Sequence, residues 1–355
     1  MKITDILAKE ATIMLTEPLK VTFGDIKEVK TLFIKIETDT DLVGFGESCP
    51  FEPVTGETLS TEQKALEFLS PALYGQDPLQ IEKIHNIMDD QIVGHTALKA
   101  GIDLALYDLL GKQANLPLYK LLGGASNQVT TDITISINPV DKMVSDAQKY
   151  VAQGFSELKI KAGLDNTHDE KAIAAILEAV DDDTVVKLDA NQGWTSKQAV
   201  RFMNRFNNTK LEMLEQPLPY TNTSDNALIR QNISQDLILD ESVHDAHDAF
   251  SVLQNRAADV VNIKLMKSKG IFGAEQINRV AEAAGVACMI GCMAETRLGI
   301  AAAVHFAAAH KNVHYCDLDS FMMFKEPDWL SGGFEQNGDV LTLTEAPGLG
   351  INLEF

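Results

Sequence analysis

Residues 185–217 read VVKLDANQGWTSKQAVRFMNRFNNTKLEMLEQP. A short apolar β run, Val185–Leu188, ends at Asp189. A helical pattern follows over Ser196–Asn207, and a second β run, Leu211–Leu214, ends at Glu215. Strand, helix and strand at this spacing make one βα unit of a parallel sheet. The unit repeats in both directions. Lys161, Asp189, Glu215, Asp240 and Lys264 follow one another at steps of 28, 26, 25 and 24 residues, and two further steps (53 residues) lead to Asp317. The β runs are Thr131–Ile137, Glu157–Ile160, Val185–Leu188, Leu211–Leu214, Leu237–Leu239, Val260–Ile263, Val286–Ile290 and Val313–Tyr315, with helical patterns such as His168–Val180, Ala246–Asn255 and Gly270–Ala284 between them. Eight parallel strands of this period close into a barrel whose chemistry sits at the C-terminal strand ends. The competing arrangement is an open doubly wound sheet. It would carry a Gly-rich phosphate turn after its first strand, and Ile137-Asn138-Pro139 is not one.

The first third reads differently. Lys30–Thr38 (KTLFIKIET) alternates, a polar turn follows at Asp39–Asp41, and Val43–Glu47 resumes the extended pattern, which predicts a hairpin. Helical patterns follow from Leu59 to about Gly75 and over Pro78–Met88. Residues 96–110 (TALKAGIDLALYDLL) are apolar around almost the whole circumference, as in a buried helix. We therefore expect an α+β capping domain at 1–125 and an α/β barrel domain at 126–330. The segment 331–355 is expected to return to the capping domain as an extra strand or cover.

Composition narrows the function. The 355 residues carry 30 basic and 51 acidic side chains, a formal net charge of −21, and 45% are hydrophobic. So much apolar side chain excludes intrinsic disorder. So acidic a surface repels phosphate backbones, so no nucleic-acid partner is expected. Cys49, Cys288, Cys292 and Cys316 are too few for a disulfide scaffold and complete no metal-ligand pattern. The opening MKITDILAKE lacks the apolar core of a secretory signal. The Ala-rich stretch 298–309 is too short and interrupted to span a bilayer. The expected setting is a reducing cytoplasm, without membrane association.

The strand ends carry the chemistry. Asp189, Glu215 and Asp240 close three consecutive strands, so their carboxylates converge at the barrel mouth. Any one of them alone is more often a helix cap than a ligand. Three together must take up protons or hold a cation, and a hard, all-oxygen donor set suits Mg²⁺, one per subunit. Period-two alternation turns Lys159 and Lys161 inward on the preceding strand. Lys264 ends the strand after the carboxylate set, so Lys161 and Lys264 flank it. A lysine beside another ammonium is expected to have a lowered pKa and to act as a base, with Lys159 as the neighbouring charge. A cation between two bases implies abstraction of a proton α to a carboxylate, through an enediolate.

The motifs LKIKAG (158–163), KLDANQGW (187–194), LEQPL (214–218), LDES (239–242), VNIKLMKSKGI (261–271), GCMAETRLGIAAAVHFAA (291–308) and TALKAGIDLALYDLLGK with LPLYKLLGG (96–124) resemble the enolase superfamily, in its muconate lactonizing enzyme subgroup. That superfamily pairs a Lys or His base with Mg²⁺. The resemblance implies a modified TIM barrel, (β/α)₇β, with an N-terminal α+β capping domain. It implies Asp189, Glu215 and Asp240 as Mg²⁺ ligands, Lys161 and Lys264 as the acid/base pair, and Asn191 and Glu241 as groups supporting the ligands. Subgroups with a His–Asp dyad are disfavoured, since the sixth strand ends in Lys264 and His305 falls in a helix.

The eighth strand runs into Asp317-Leu318-Asp319. In general such a pair is a cap or a solvated turn. In this family it resembles the signature of dipeptide epimerases, L-Ala-D/L-Glu epimerases among them, where two acids hold the dipeptide's free ammonium. The resemblance thus implies an isomerase that epimerises a dipeptide at its C-terminal α-carbon. o-Succinylbenzoate synthase, N-acylamino acid racemase and muconate cycloisomerase are the alternatives, and a non-catalytic binding protein on the same fold is a further one. The stretch Thr16–Val29 lacks the arginine expected to hold a glutamate side chain. It offers Lys20 and Lys27, which provide charge without a bidentate fork. Phe23 and Phe51 are expected apolar walls. A homo-oligomer is left open.

Overall fold

The computed structural model describes every residue except Phe23. Three antiparallel strands open the chain: β1 (Ile3–Val21), β2 (Gly24–Thr38) and β3 (Val43–Ser48). The sequence reading missed β1 and began β2 six residues late. The two strands form a long ribbon, and along the middle of β1 side chains alternate only between partly and fully exposed. A hydrophobic pattern cannot report a strand that buries neither face. Thr16–Val29, expected as a loop, is therefore the tip of a hairpin, with a register shift between Met14 and Leu19.

Helices α1 (Glu52–Thr55), α2 (Leu59–Leu73), α3 (Ile81–Gln91), α4 (Thr96–Ala114) and α5 (Leu118–Leu121) follow. The expected buried helix is α4, where residues 97–109 are buried without interruption. It packs on β3 through glycines. A Cβ on Gly46 would stand 1.9 Å from the Gly101 carbonyl oxygen, and one on Gly44 would stand 2.1 Å from that of Ala105.

After the short β4 (Gln128–Thr130) comes the barrel. Strands β5 (Ile133–Ile135), β6 (Glu157–Lys161), β7 (Val185–Asp189), β8 (Leu211–Glu215), β9 (Asp236–Leu239), β10 (Val260–Lys264), β11 (Ala287–Gly291) and β12 (Val313–Asp317) lie in one parallel sheet in chain order. Between them run α6 (Val140–Ala152), α7 (Asn166–Ala179), α8 (Ser196–Met203), α9 (Thr223–Asn232), α10 (Ala246–Gln254), α11 (Ile271–Ala283) and α12 (Arg297–Ala309). This is the expected (β/α)₇β order. The first barrel strand is shorter than the seven residues expected. Its flank closes the ring instead, as Asp132 N–H donates to the Cys316 carbonyl at 3.0 Å and Leu318 N–H to Thr131 Oγ1 at 2.8 Å. The floor of the barrel is apolar, with Met213, Ile238, Val260 and Met289 packed together. Among the described residues no helix is long and apolar enough to cross a membrane.

The last strands, β13 (Leu330–Gly332), β14 (Phe334–Asn337), β15 (Val340–Leu343) and β16 (Ile351–Leu353), add nothing to the N-terminal sheet. β13 pairs with β16, and β14 and β15 extend β4. The tail nevertheless covers the N-terminal elements: Trp329 sits edge-on to Phe33 at 5.2 Å, and buried Asp108 of α4 accepts from Leu349 N–H at 2.9 Å.

The α4 contact gives the first prediction. Gly46→Ala forces a methyl into the helix backbone and is expected to cost about 3 kcal/mol, measured as a lowered urea midpoint. An unchanged midpoint would contradict this packing.

Candidate active site

Strand register places the predicted residues in one ring. Lys161 is level with Asp189 and Asp189 with Glu215, while Lys264 is level with Gly291 and Gly291 with Asp317. One residue pair lower lie Lys159, Lys187, Asn262 and Met289. Asp240 immediately follows β9 and completes the carboxylate set. Its N–H donates to Gln216 Oε1 at 3.0 Å.

The ring lies under a cavity of about 320 Å³. Lys161, Lys264, Asn191, Glu241, Asp317 and Asp319 line its polar end, and Asp189, Glu215, Asp240 and Lys159 lie beneath them, each about 1% exposed. The capping elements supply an apolar set, Leu19, Val21, Ile26 and Val29 from the hairpin tip and Phe51 and Val54 from the segment after β3, interspersed with Asp25, Lys27, Glu28, Lys30 and Glu52. The tip is pinned to the barrel. Thr22 Oγ1 donates to the Asn191 carbonyl at 2.6 Å, and Lys20 N–H donates to Ser136 Oγ at 2.7 Å. Lys20 therefore takes part through its backbone and is not among the residues lining the cavity. Lys27 does line it, as does Phe51. Phe23 lies outside the described residues.

Charge organises the ring. Lys161 Nζ stands 2.7 Å from Asp189 Oδ2, and Lys264 Nζ 2.8 Å from Asp240 Oδ2. Lys159 Nζ lies 2.7 Å from Asp317 Oδ2, 2.8 Å from Glu215 Oε2 and 3.2 Å from Asp189 Oδ2. Burial opposes ionisation of the Asp189 carboxyl, but Lys161 and Lys159 hold it below the usual range. In the same way Lys264 and Lys267 hold Asp240 far below it. Burial and the neighbouring Asp189 push Glu215 up. Asp317 is held down to about 2, against burial, chiefly by Lys159; Asp319 is pushed up to about 6 by burial and Asp317. Glu241 rises to about 8 through burial and Asp240.

These values correct one expectation. A lysine beside another ammonium was expected to have a lowered pKa. That of Lys264 instead rises beside Asp240, against both burial and the repulsion of Lys159, and Lys159, shared by three carboxylates, is raised as well. In a site this acidic the carboxylates outweigh the repulsion between lysines.

Sequence reasoning also missed several members. Lys267 is buried, with Nζ 2.5 Å from Asp240 Oδ1 and a second hydrogen bond to the Asp240 carbonyl. Asn262 Nδ2 donates to Glu215 Oε1 at 2.9 Å. Asn262 was legible as the inward neighbour of Lys264 two residues back. Lys267 carried no strand signal, because it lies in the turn after β10. Asn191 and Gln216 adopt left-handed backbone, φ +38° and +33°, strain of a kind that collects at functional sites. Asn191 N–H returns to Asp189 Oδ1 at 2.9 Å. His305 lies in α12, buried, and its Nδ1 accepts from Tyr119 N–H at 3.1 Å, far from any dyad role.

The donor set fits Mg²⁺. Its three convergent ligands are carboxylates. With Glu241 pushed up to about 8, the other five acids of the ring and polar end (Asp189, Glu215, Asp240, Asp317, Asp319) still outnumber the four lysines (159, 161, 264, 267), an excess of negative charge that a divalent cation would offset.

Barrel, capping hairpin and carboxylate ring together define a member of the enolase superfamily. Residues 3–123 match the mandelate racemase/muconate lactonizing enzyme N-terminal domain, and residues 142–354 match the enolase C-terminal domain-like family. The chain belongs to this family. A hydrophobic dipeptide epimerase of Enterococcus faecalis is 41% identical over 99% of this chain and 100% of that one. An L-Ala-D/L-Glu epimerase of Bacillus subtilis is 38% identical over 99% and 97%. The E. faecalis dipeptide epimerase complexed with Mg and L-Leu-L-Tyr superposes with a TM-score of 0.97, covering 99% of this chain and 100% of that one.

Replacing Lys159 by Met leaves three buried carboxylates without their shared cation. The variant is expected to lose about 3–5 kcal/mol in metal-free urea unfolding at pH 7. The loss should narrow at pH 5, where the stranded carboxylates take up protons. Stability equal to wild type at pH 7 would contradict this role.

Proposed function

We propose that the protein is an isomerase that epimerises dipeptides at the α-carbon of the C-terminal residue, with Mg²⁺ as cofactor. The reading divides the chain into a capping domain at 1–125, a barrel at 126–330 and a returning segment at 331–355. The observation that carries the function is the placement of two lysines. Lys161 on β6 and Lys264 on β10 face one cavity, with the carboxylate strands β7 to β9 between them.

Asp189, Glu215 and Asp240 would hold the ion. When bound it supplies positive charge at the substrate carboxylate, which lowers the cost of removing the α-proton. Lys161 takes the proton from one face and Lys264 returns one to the other; for the opposite isomer the roles exchange. Lys159 stays charged beneath them, within ion-pair distance of Asp189, Glu215 and Asp317, and positions these carboxylates rather than touching substrate. Asn191 aims Asp189 through its N–H, and Glu241 borders the cavity beside Asp240.

Asp317 and Asp319 hold the substrate ammonium. This feature distinguishes a dipeptide from the N-acylated and cyclic substrates of the alternatives. The apolar set of Leu19, Val21, Ile26, Val29 and Phe51 favours an apolar side chain on the epimerised residue. A glutamate side chain is the second reading, favoured by Lys27 and Lys30 among the residues lining the cavity.

Two experiments test the proposal. In D₂O with Mg²⁺, wild type should exchange the α-proton of both isomers of an Ala-Phe dipeptide at its C-terminal residue, read by NMR. Lys161→Ala and Lys264→Ala should each lose epimerisation and retain exchange of only one isomer, opposite in the two variants. A variant that still epimerises would rule out the two-base mechanism. Separately, N-acetylating the dipeptide should reduce kcat/KM by about 3 kcal/mol or more, since buried acids lose their partner. A preference for the acetylated compound would favour an N-acylamino acid racemase.

A further inference from the structure

A second cavity, of about 480 Å³, lies beside the first between α6 and the hairpin. Leu19, Thr134, Asp319 and Met323 line both, so the two spaces meet along Asp319. This residue is 1% exposed, and its Oδ2 is fixed by Thr134 N–H at 2.6 Å. The two chambers differ in chemistry. Away from the shared wall the second is bordered by the hydroxyls of Ser136 and Tyr150 and by the amides of Asn138, Gln153 and Gln336. Asp319 aside, its two acids are both engaged by one lysine: Lys142 Nζ lies 2.6 Å from Asp146 Oδ1 and 3.4 Å from Glu17 Oε2, while Lys149 Nζ stands over the Tyr150 ring at 5.1 Å.

The inference rests on the function proposed above and extends it. An ammonium on Asp319 places the N-terminal α-carbon of the dipeptide at the junction of the two cavities. The side chain on that carbon then has one chamber left to enter, because the epimerised residue occupies the first. We infer that the second cavity is the subsite for the N-terminal side chain, and that it selects long, hydrogen-bonding, non-cationic side chains of the glutamine type. A cationic side chain would meet Lys142 and Lys149 with both acids of the chamber already engaged by Lys142, and so no partner to offset its desolvation. An alanine methyl would leave the chamber to water and gain nothing from it.

The test compares L-Gln-L-Phe, L-Lys-L-Phe and L-Ala-L-Phe by C-terminal α-proton exchange in D₂O with Mg²⁺, in wild type and in two filling variants. Gln153→Trp enters from the exposed end of α6 and Asn138→Trp from the loop before it. Neither side chain is engaged in a hydrogen bond among the described residues, so both variants should fold, which circular dichroism checks. Wild type should use L-Gln-L-Phe at least tenfold better by kcat/KM than L-Ala-L-Phe, and better than L-Lys-L-Phe. That ratio should fall toward one in the variants; a merely damaged enzyme would lower both substrates and leave the ratio intact. A wild-type ratio near one, a ratio that survives filling, or a preference for the tripeptide L-Gln-L-Ala-L-Phe would overturn the subsite. Exchange of L-Ala-L-Phe with no gain from glutamine would sink this inference alone. Exchange of no dipeptide would remove the epimerase reading and the subsite with it.

Discussion

Three carboxylates brought into register at the mouth of a barrel cannot remain there unpaired. Asp189, Glu215 and Asp240 are each about 1% exposed, and isolated charges at that depth would cost far more than a domain's net stability. The surrounding structure answers that constraint. Lys159 reaches up from the layer below to three acids, Lys267 grips Asp240 from the turn after β10, Asn262 donates to Glu215, and Gln216 accepts from the Asp240 N–H. Even so the ring keeps a deficit of positive charge, which a divalent cation would fill.

The rest of the fold holds this ring dry and gives it a lid. Beneath the charged layer Met213, Ile238, Val260 and Met289 pack together as an apolar floor. The hairpin tip bridges back onto the barrel through Thr22 and Lys20 and supplies most of the capping elements' apolar set. The glycine contacts between β3 and α4 hold the sheet that carries the hairpin against its helix.

Much of this was readable in the sequence because the barrel repeats. A regular step between polar strand ends gives strand count, order and the level of each functional residue together. Period-two alternation then separates Lys159 and Lys161 from the apolar residues between them. The family resemblance added roles to positions already singled out. Three kinds of feature stayed illegible. β1 buries neither face along much of its length and so carries no period. Lys267 acts from a turn, where no period exists. The charge state of the lysines depends on how many carboxylates each one meets, which spacing along the chain does not reveal. Lys20 failed for a related reason: a side chain was expected to act where the backbone N–H does.

The central claim is that the acidic ring is built for one divalent cation. Isothermal titration calorimetry of Mg²⁺ into metal-free protein, wild type against Asp240→Asn, tests it directly. The account predicts one ion per chain in the wild type and an affinity at least tenfold weaker in the variant, in which one of three anionic ligands is neutral. No binding to the wild type, or the same affinity in both, would contradict it.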